Sequence, residues 1–342
     1  MNNNNAIAVL FAGQGAQKPG MGLALYEASA AARKIFDLAG GEIRNDCFHA
    51  DADRLKETEV TQPAVYTVDL ACYAALCEAL GIGADEAATE RSSSPPFSAF
   101  AGFSLGEYAA YAAAGVFGPL YDGGFETGLS LVRTRSRLMK EAGRYADGSP
   151  RGAMAAAMGD PEAVVSLVSR VREGDVLDAV NFNAPTQTVI AGDRTAVERF
   201  TDAAKEDRSL GVKAIPLPVS GAFHTSIMAP AAQGLEEALT ELSFSAPRLP
   251  VFLNVTGDEL LASIGGSFVP ERLKEIMVRQ VQNPVQWRKS IESMAAAGAS
   301  VFVEVGPGKT LSGLVKKTLP DAVAYSVEDA ESLAETVAAL KL

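Results

Sequence analysis

The sequence predicts an α/β protein: a core on a mostly parallel sheet, interrupted by a small ferredoxin-like βαββαβ unit. Three observations carry this. Short apolar runs alternate with longer helical patterns at the start of the chain and again after residue 216, as in strands that cross over to parallel partners. Between them the order changes to strand, helix, strand, strand, helix, strand, a split βαβ pattern. The 342 residues, 48% hydrophobic and 21% charged, suffice for roughly two units of ~150 residues with a full core. The expected division is 1–145 with 216–342 for the large unit and 146–215 for the small one.

Residues 6–12 (AIAVLFA) read as a buried strand ending in the turn GQGAQ at 13–17. Thr61 caps a helix with Pro63 in its first turn, and Gly81 and Gly83 stop it after Leu80. Residues 90–96 (ERSSSPP) are a surface loop by composition. Residues 97–103 form a strand, and a helix follows from about Leu105. The loop 118–124 (GPLYDGG) leads into a helix over 126–142, and 144–151 (RYADGSPR) is a linker. The small unit then runs as strand 152–158, helix 161–172, strands 176–182 and 186–191, helix 194–207 and strand 212–217. Asp160-Pro161 opens its first helix. The remainder predicts helix 226–242, strand 250–255, helix 285–297, strand 300–305 and helix 310–319.

Composition narrows the chemistry. Thirty basic against 42 acidic residues leave a net charge of -12, which argues against broad nucleic-acid binding. No apolar run reaches the ~20 residues of a membrane span. The start, residues 1–5, is polar, so the apolar run after it reads as a first strand and not a leader. Cys47, Cys72 and Cys77 form no CxxC pair. A disulfide framework is not expected, and a cytoplasmic location is. With two histidines and scattered cysteines, no zinc or other metal site is expected.

The sharpest local signal is GFSLG at 102–106, with a strand before it and a helix after. In a nucleophile elbow the glycines permit a strained turn that lifts the serine, here Ser104, above the sheet. The Leu105 N–H at the helix start then faces a developing oxyanion. The plainer reading is a glycine-flanked strand end without chemistry. A serine nucleophile needs a base, and only His49 and His224 are available. His49 reads as structural or surface. His224 lies on a loop between a strand and a helix, where open α/β sheets put their sites; alone it could equally be a solvated loop histidine. On the helix 126–142, Arg135 points into the apolar stripe of Leu131, Val132, Leu138 and Met139. A buried cation needs a partner. That partner is either an internal carboxylate or a substrate carboxylate held by the guanidinium fork. The GQG turn fails the dinucleotide fingerprint because Lys18 takes the third glycine position, and GKT at 308–310 fails the P-loop because Val303 takes the first. Gln14 could instead aim an amide or its backbone N–H at an oxyanion.

Taken in order, these motifs resemble the acyltransferase family of fatty-acid and polyketide synthesis, which includes the malonyl-CoA:acyl carrier protein transacylases. FAGQG at 11–15 is similar to the family's FPGQG, TQPA at 61–64 to its TQPA, and GFSLGE at 102–107 to its GHSLGE. NFNAP at 181–185, VIAG at 189–192, AFH at 222–224, RQVQNPVQW at 279–287 and EVGPGK at 304–309 continue the resemblance over nearly the whole chain. It implies a hydrolase-like α/β core with an inserted ferredoxin-like domain. It implies Ser104 as nucleophile, His224 as its base, and Arg135 as the holder of a malonyl carboxylate. Gln14 and the Leu105 N–H would form the oxyanion hole, the Gln280 carbonyl would orient the histidine, and Gln62 would line the pocket. Phe223 would crowd a 2-methyl branch. Malonyl-CoA is then the substrate, the phosphopantetheine thiol of an acyl carrier protein the acceptor, and no cofactor is bound. The chain is expected to act as a monomer. Phe103 departs from the histidine that usually precedes the nucleophile, which leaves room for relaxed or different acyl selectivity; Ala12 replaces the usual proline. A serine esterase or thioesterase would share the elbow but have no need for Arg135. A non-catalytic module that binds carrier protein would have no need for Ser104, His224 and Gln14 together. Carrier proteins of this pathway are acidic, so docking needs a local basic patch, expected at Lys309, Lys316 and Lys317 with Arg279 and Arg288.

Overall fold

The computed structural model describes residues 6–86, 97–219 and 221–340. The predicted loop 90–96 and the polar start 1–5 lie outside the described residues. The first strand is β1 (Ala6–Phe11), followed by helices α1 (Leu23–Ala28), α2 (Ala30–Ala39), α3 (Gly41–His49) and α4 (Thr58–Ala79). Strand β2 (Phe97–Gly102) leads into α5 (Gly106–Ala113) and α6 (Phe125–Ala142). Next come β3 (Ala153–Met158), α7 (Pro161–Val171), β4 (Leu177–Ala184), β5 (Gln187–Gly192), α8 (Arg194–Glu206) and β6 (Lys213–Pro216). The chain continues through α9 (Ala229–Leu239), β7 (Val251–Phe252), α10 (Leu260–Ser263), α11 (Pro270–Gln280) and α12 (Trp287–Ala296). It closes with β8 (Ala299–Val305), α13 (Thr310–Thr318), β9 (Val323–Val327) and α14 (Ala330–Leu340).

The large sheet has the order β7-β2-β1-β8-β9 with every pairing parallel. β1 is central and covered on both faces, which is why its sequence is a continuous apolar run. Alternate side chains serve the two layers: Val9 and Phe11 pack with α4, Ala8 and Leu10 with Trp287 and α13. The small sheet has the order β4-β5-β3-β6, all antiparallel, with α7 and α8 over one face. This is the ferredoxin-like unit that the strand and helix order predicts, and the mostly parallel core stands as well.

Strand β4 of the small sheet is bonded by backbone to the segment that leads into α12. Phe182 N–H donates to Val285 O at 2.9 Å, and Val285 N–H donates to Val180 O at 2.8 Å. Several elements differ from the sequence expectation. α4 begins at Thr58, so Thr61 is not its cap; the Thr61 hydroxyl instead donates to Leu55 O. Pro63 then falls inside the helix, within its N-terminal turns. The strand expected at 250–255 shrinks to two residues because Asn254 leaves the ladder for other partners. Helices α1 to α3, α10, α11 and α14 and strand β9 are additional to the reading. Within the expected loop 118–124, Leu120–Gly124 makes a wide, irregular turn that runs into α6.

Candidate active site

β1 and β2 run out at the same level, Phe11 beside Gly102. Beyond that level the chain must turn sharply. Ser104 takes a left-handed backbone, φ 51°, a conformation that costs a non-glycine residue on the order of 1–3 kcal/mol. The flanking glycines make the turn possible. A Cβ on Gly102 would sit 1.9 Å from the Gly106 carbonyl carbon, and one on Gly106 would sit 2.2 Å from Phe11 O. The elbow delivers Ser104 Oγ to 2.8 Å from His224 Nε2.

His224 is itself at φ 64°, at the loop before α9, and buried. Its Nδ1 faces two carbonyl oxygens, Gln280 O at 2.9 Å and Asn283 O at 3.1 Å. Carbonyls only accept, so the hydrogen-bond network assigns the proton to Nδ1 and leaves Nε2 to accept from the serine hydroxyl. Burial, followed by the nearby Arg135 cation, pushes the imidazole pKa down to about 4.

Arg135 rises from the apolar face of α6 and is 1% exposed. Its Nη1 donates to Gln62 Oε1 at 2.8 Å; its Nη2 donates to Ser104 Oγ at 3.1 Å and Gln280 Oε1 at 3.2 Å. Each of these partners is neutral. The guanidinium carbon also stands 5.5 Å from the centre of the Tyr108 ring. Burial holds the arginine pKa below its ordinary value, opposed by Tyr108 and the carboxylate of Glu107. Gln62 continues the chain of amides: its Nε2 donates to Gln14 Oε1 at 3.1 Å. That contact occupies the Gln14 oxygen and turns the rest of the amide into a donor. The Leu105 N–H, at the start of α5, meets no acceptor among the described residues.

Phe103 is half-buried, edge-on to Trp287 with ring centres 5.4 Å apart. It forms one wall of a cleft of about 240 Å³ between the two sheets. Gln14, Leu311 and Leu314 line the same cleft from the core side, and Asn181, Asn183 and Leu217 from the small sheet. Phe223, beside His224, borders a separate pocket of about 190 Å³ with Met139 and Lys56. Lys309, Lys316 and Lys317 are exposed on or beside α13. Lys316 Nζ donates to Ala322 O at 2.5 Å, and Lys317 Nζ donates to Gln187 Oε1 at 2.9 Å. Arg279 is exposed, whereas Arg288 is engaged with Glu292 at 2.7 Å. His49 ends α3 as an exposed residue.

The sequence reading passed over three groups. Asn254 and Glu107 are wholly buried beside the elbow, and burial pushes the Glu107 pKa up to about 7. Asn181 and Asn183 line the cleft, and their amide oxygens, buried behind its surface, have no hydrogen-bond partner among the described residues. Their strand position gave the signal: residues 181 and 183 share one face, and asparagine is a poor strand former.

The acyl transferase domain model matches residues 9–338. The chain belongs to this acyl transferase family. The malonyl CoA-acyl carrier protein transacylase of Bacillus subtilis is 36% identical over 98% of this chain and 97% of its own. The crystal structure of the transacylase from Clostridium perfringens superposes with a TM-score of 0.83 at 32% identity, covering 98% of this chain and 97% of that one. A further acyl transferase structure is that of a malonyl-transacylase in complex with a type II PKS acyl-carrier protein. It has a TM-score of 0.83 and 32% identity, covering 98% of this chain and 99% of that one.

Proposed function

We propose that this acyltransferase moves a malonyl group from malonyl-CoA to the phosphopantetheine thiol of an acyl carrier protein, through a malonyl ester on Ser104. The observation that carries the reading is the Arg135 guanidinium, buried, 3.1 Å from the serine hydroxyl, with hydrogen-bond partners that are all neutral. A hydrolytic serine site acting on simple esters has no use for such a cation. A carboxylated acyl group supplies its counter-charge and is positioned by it.

Ser104 Oγ attacks the thioester carbonyl while its proton passes to His224 Nε2. The oxyanion is held by the Leu105 N–H and Gln14. Collapse breaks the C–S bond, the imidazolium protonates the departing CoA thiolate, and malonyl-Ser104 remains. The carrier thiol then gives its proton to Nε2 and attacks the ester, restoring the serine. Phe223 closes the space beside C2 of the acyl group. The thioester arm lies in the cleft walled by Phe103, Asn181 and Asn183. Lys309, next to the lining residue Thr310, and Lys317, bonded to the lining residue Gln187, would face the acidic carrier together with Lys316. Three free, buried cysteines fit a cytoplasmic setting.

Intact-mass analysis after incubation with malonyl-CoA is expected to show one malonyl adduct on the wild type and none on Ser104→Ala. Arg135→Ala is expected to cut malonyl transfer about 10- to 100-fold, the ~1.5–3 kcal/mol of hydrogen bonding to a charged group, while sparing acetyl transfer. An adduct that persists in Ser104→Ala, or equal loss for both acyl groups in Arg135→Ala, refutes the reading.

A further inference from the structure

The elbow leaves two backbone groups without a ladder. Phe103 N–H still reaches Phe11 O, at 3.0 Å. The groups on either side of it, the Gly102 carbonyl and the Ser104 N–H, point away from β1. Buried and unpaired, each would carry the uncompensated loss of its water partner. One side chain takes both. Asn254 Nδ2 donates to Gly102 O at 2.7 Å, and Asn254 Oδ1 accepts from Ser104 N–H at 2.6 Å. The carboxamide thus stands in for a neighbouring peptide unit across the bend.

Asn254 is held in turn by its own backbone. Its N–H donates to Glu107 Oε2 at 2.6 Å, and its carbonyl accepts from Gln286 N–H at 2.7 Å. Glu107 also accepts from the Tyr111 hydroxyl at 2.8 Å. All four polar groups of the residue are used, and it is fully buried. On the other side of the nucleophile, Gln280 Nε2 donates to Ser104 O at 2.8 Å. Both peptide groups of Ser104 are therefore gripped by amide side chains.

We propose that Asn254 is a positioning residue: its carboxamide staples the chain on both sides of Phe103 and holds Ser104 in the left-handed turn that aims Oγ at His224. Because the staple consumes the Ser104 N–H, the oxyanion is left to Leu105 and Gln14. The inference rests on Ser104 being the nucleophile of the preceding reading.

The test is the single-turnover rate of malonyl-Ser104 formation, with thermal unfolding measured on the same samples. Asn254→Ala is expected to slow acylation about 100-fold, the scale of an ångström-sized misplacement, with little change in the KM for malonyl-CoA. The comparison is Ser290→Ala, which removes a buried hydroxyl 3.3 Å from Leu253 O in the same turn; it is expected to lose stability and keep the rate. Equal rates in these two variants overturn the proposal. If Asn254→Ala does not fold, Asn254→Asp decides. Ionised, that side chain still accepts from Ser104 N–H but repels the Gly102 carbonyl; protonated, it also donates and the staple closes again. Buried beside Glu107, it titrates well above the ordinary aspartate range. Its rate relative to wild type is expected to rise as the pH is lowered, and a constant ratio overturns the proposal. Absence of an adduct on the wild type would instead remove the functional reading, so the two failures are separable.

Discussion

The protonated form of His224, the base of the proposed mechanism, is disfavoured twice, by burial and by the cation beside it. With its pKa pushed down to about 4, the imidazole is neutral throughout the physiological range. The sign of the pH dependence follows. The free enzyme loses its base only as the pH falls through about 4, so the acid limb of kcat/KM for malonyl-CoA is expected there and not near the ordinary 6.5. Arg135→Ala removes one cause of the depression, and its acid limb is expected to move up in pH. An unmoved limb in a kcat/KM profile would mean that Arg135 exerts no field on the imidazole. Stability has the same sign: the contribution of a histidine with a depressed pKa is complete above the unfolded value and is lost as the pH falls towards the folded one. Ser104, His224 and Arg135 were legible in the sequence because each is a costly residue in an unusual setting: a serine between glycines, one of two histidines, a cation on an apolar stripe. Asn254 was not. A single asparagine in a turn has many local uses, and its role exists only once β7 lies beside β2.

Among the elements, the strand–turn–helix at β2 and α5 is the most constrained. Gly102 and Gly106 touch backbone, which cannot yield as a side chain tip can. Gly102→Ala is expected to destabilise the fold by about 3 kcal/mol, the upper range of overpacking, and to abolish adduct formation in the fraction that folds. Wild-type melting and acylation in that variant would show that the elbow is softer than its contacts imply. The elements found by reading were those with strong periodicity or clear punctuation, such as β1, α6, α7 and α8. Those left unassigned are short or peripheral. α3 carries few apolar residues, and β9 is an edge strand with only Val327 buried. The start of α4 was misplaced because Thr61 and Pro63 mimic a cap and a first turn, while the helix begins at Thr58, Glu57 supplying its first carbonyl.

At the scale of the molecule, a net charge of -12 means that an acidic carrier approaches against the overall field. The lysines of the proposed docking patch would offset it locally. Lys309→Glu with Lys316→Glu is expected to raise the KM for carrier protein about tenfold, as loss of electrostatic complementarity does, and to leave acylation by malonyl-CoA unchanged. Added salt is expected to weaken the wild type in the same direction. A carrier KM indifferent to both would remove this patch from the docking surface. The parallel core and the inserted βαββαβ unit were both legible, since alternation and strand order are local patterns; how the small sheet is tied to the rest was not. Val180 and Phe182 of the small sheet pair with Val285 in the segment before α12, and that junction has a mechanical consequence. Val285 lies two residues beyond Asn283, whose carbonyl steadies the imidazole. A displacement of the small sheet that widened the cleft for a bulkier arm would be felt at Asn283, two residues from that pairing, and so at the imidazole it steadies. Roominess and aim would then share the same few links of chain, and variants selected for larger acyl groups are expected to lose turnover unless the Val285 pairing is kept.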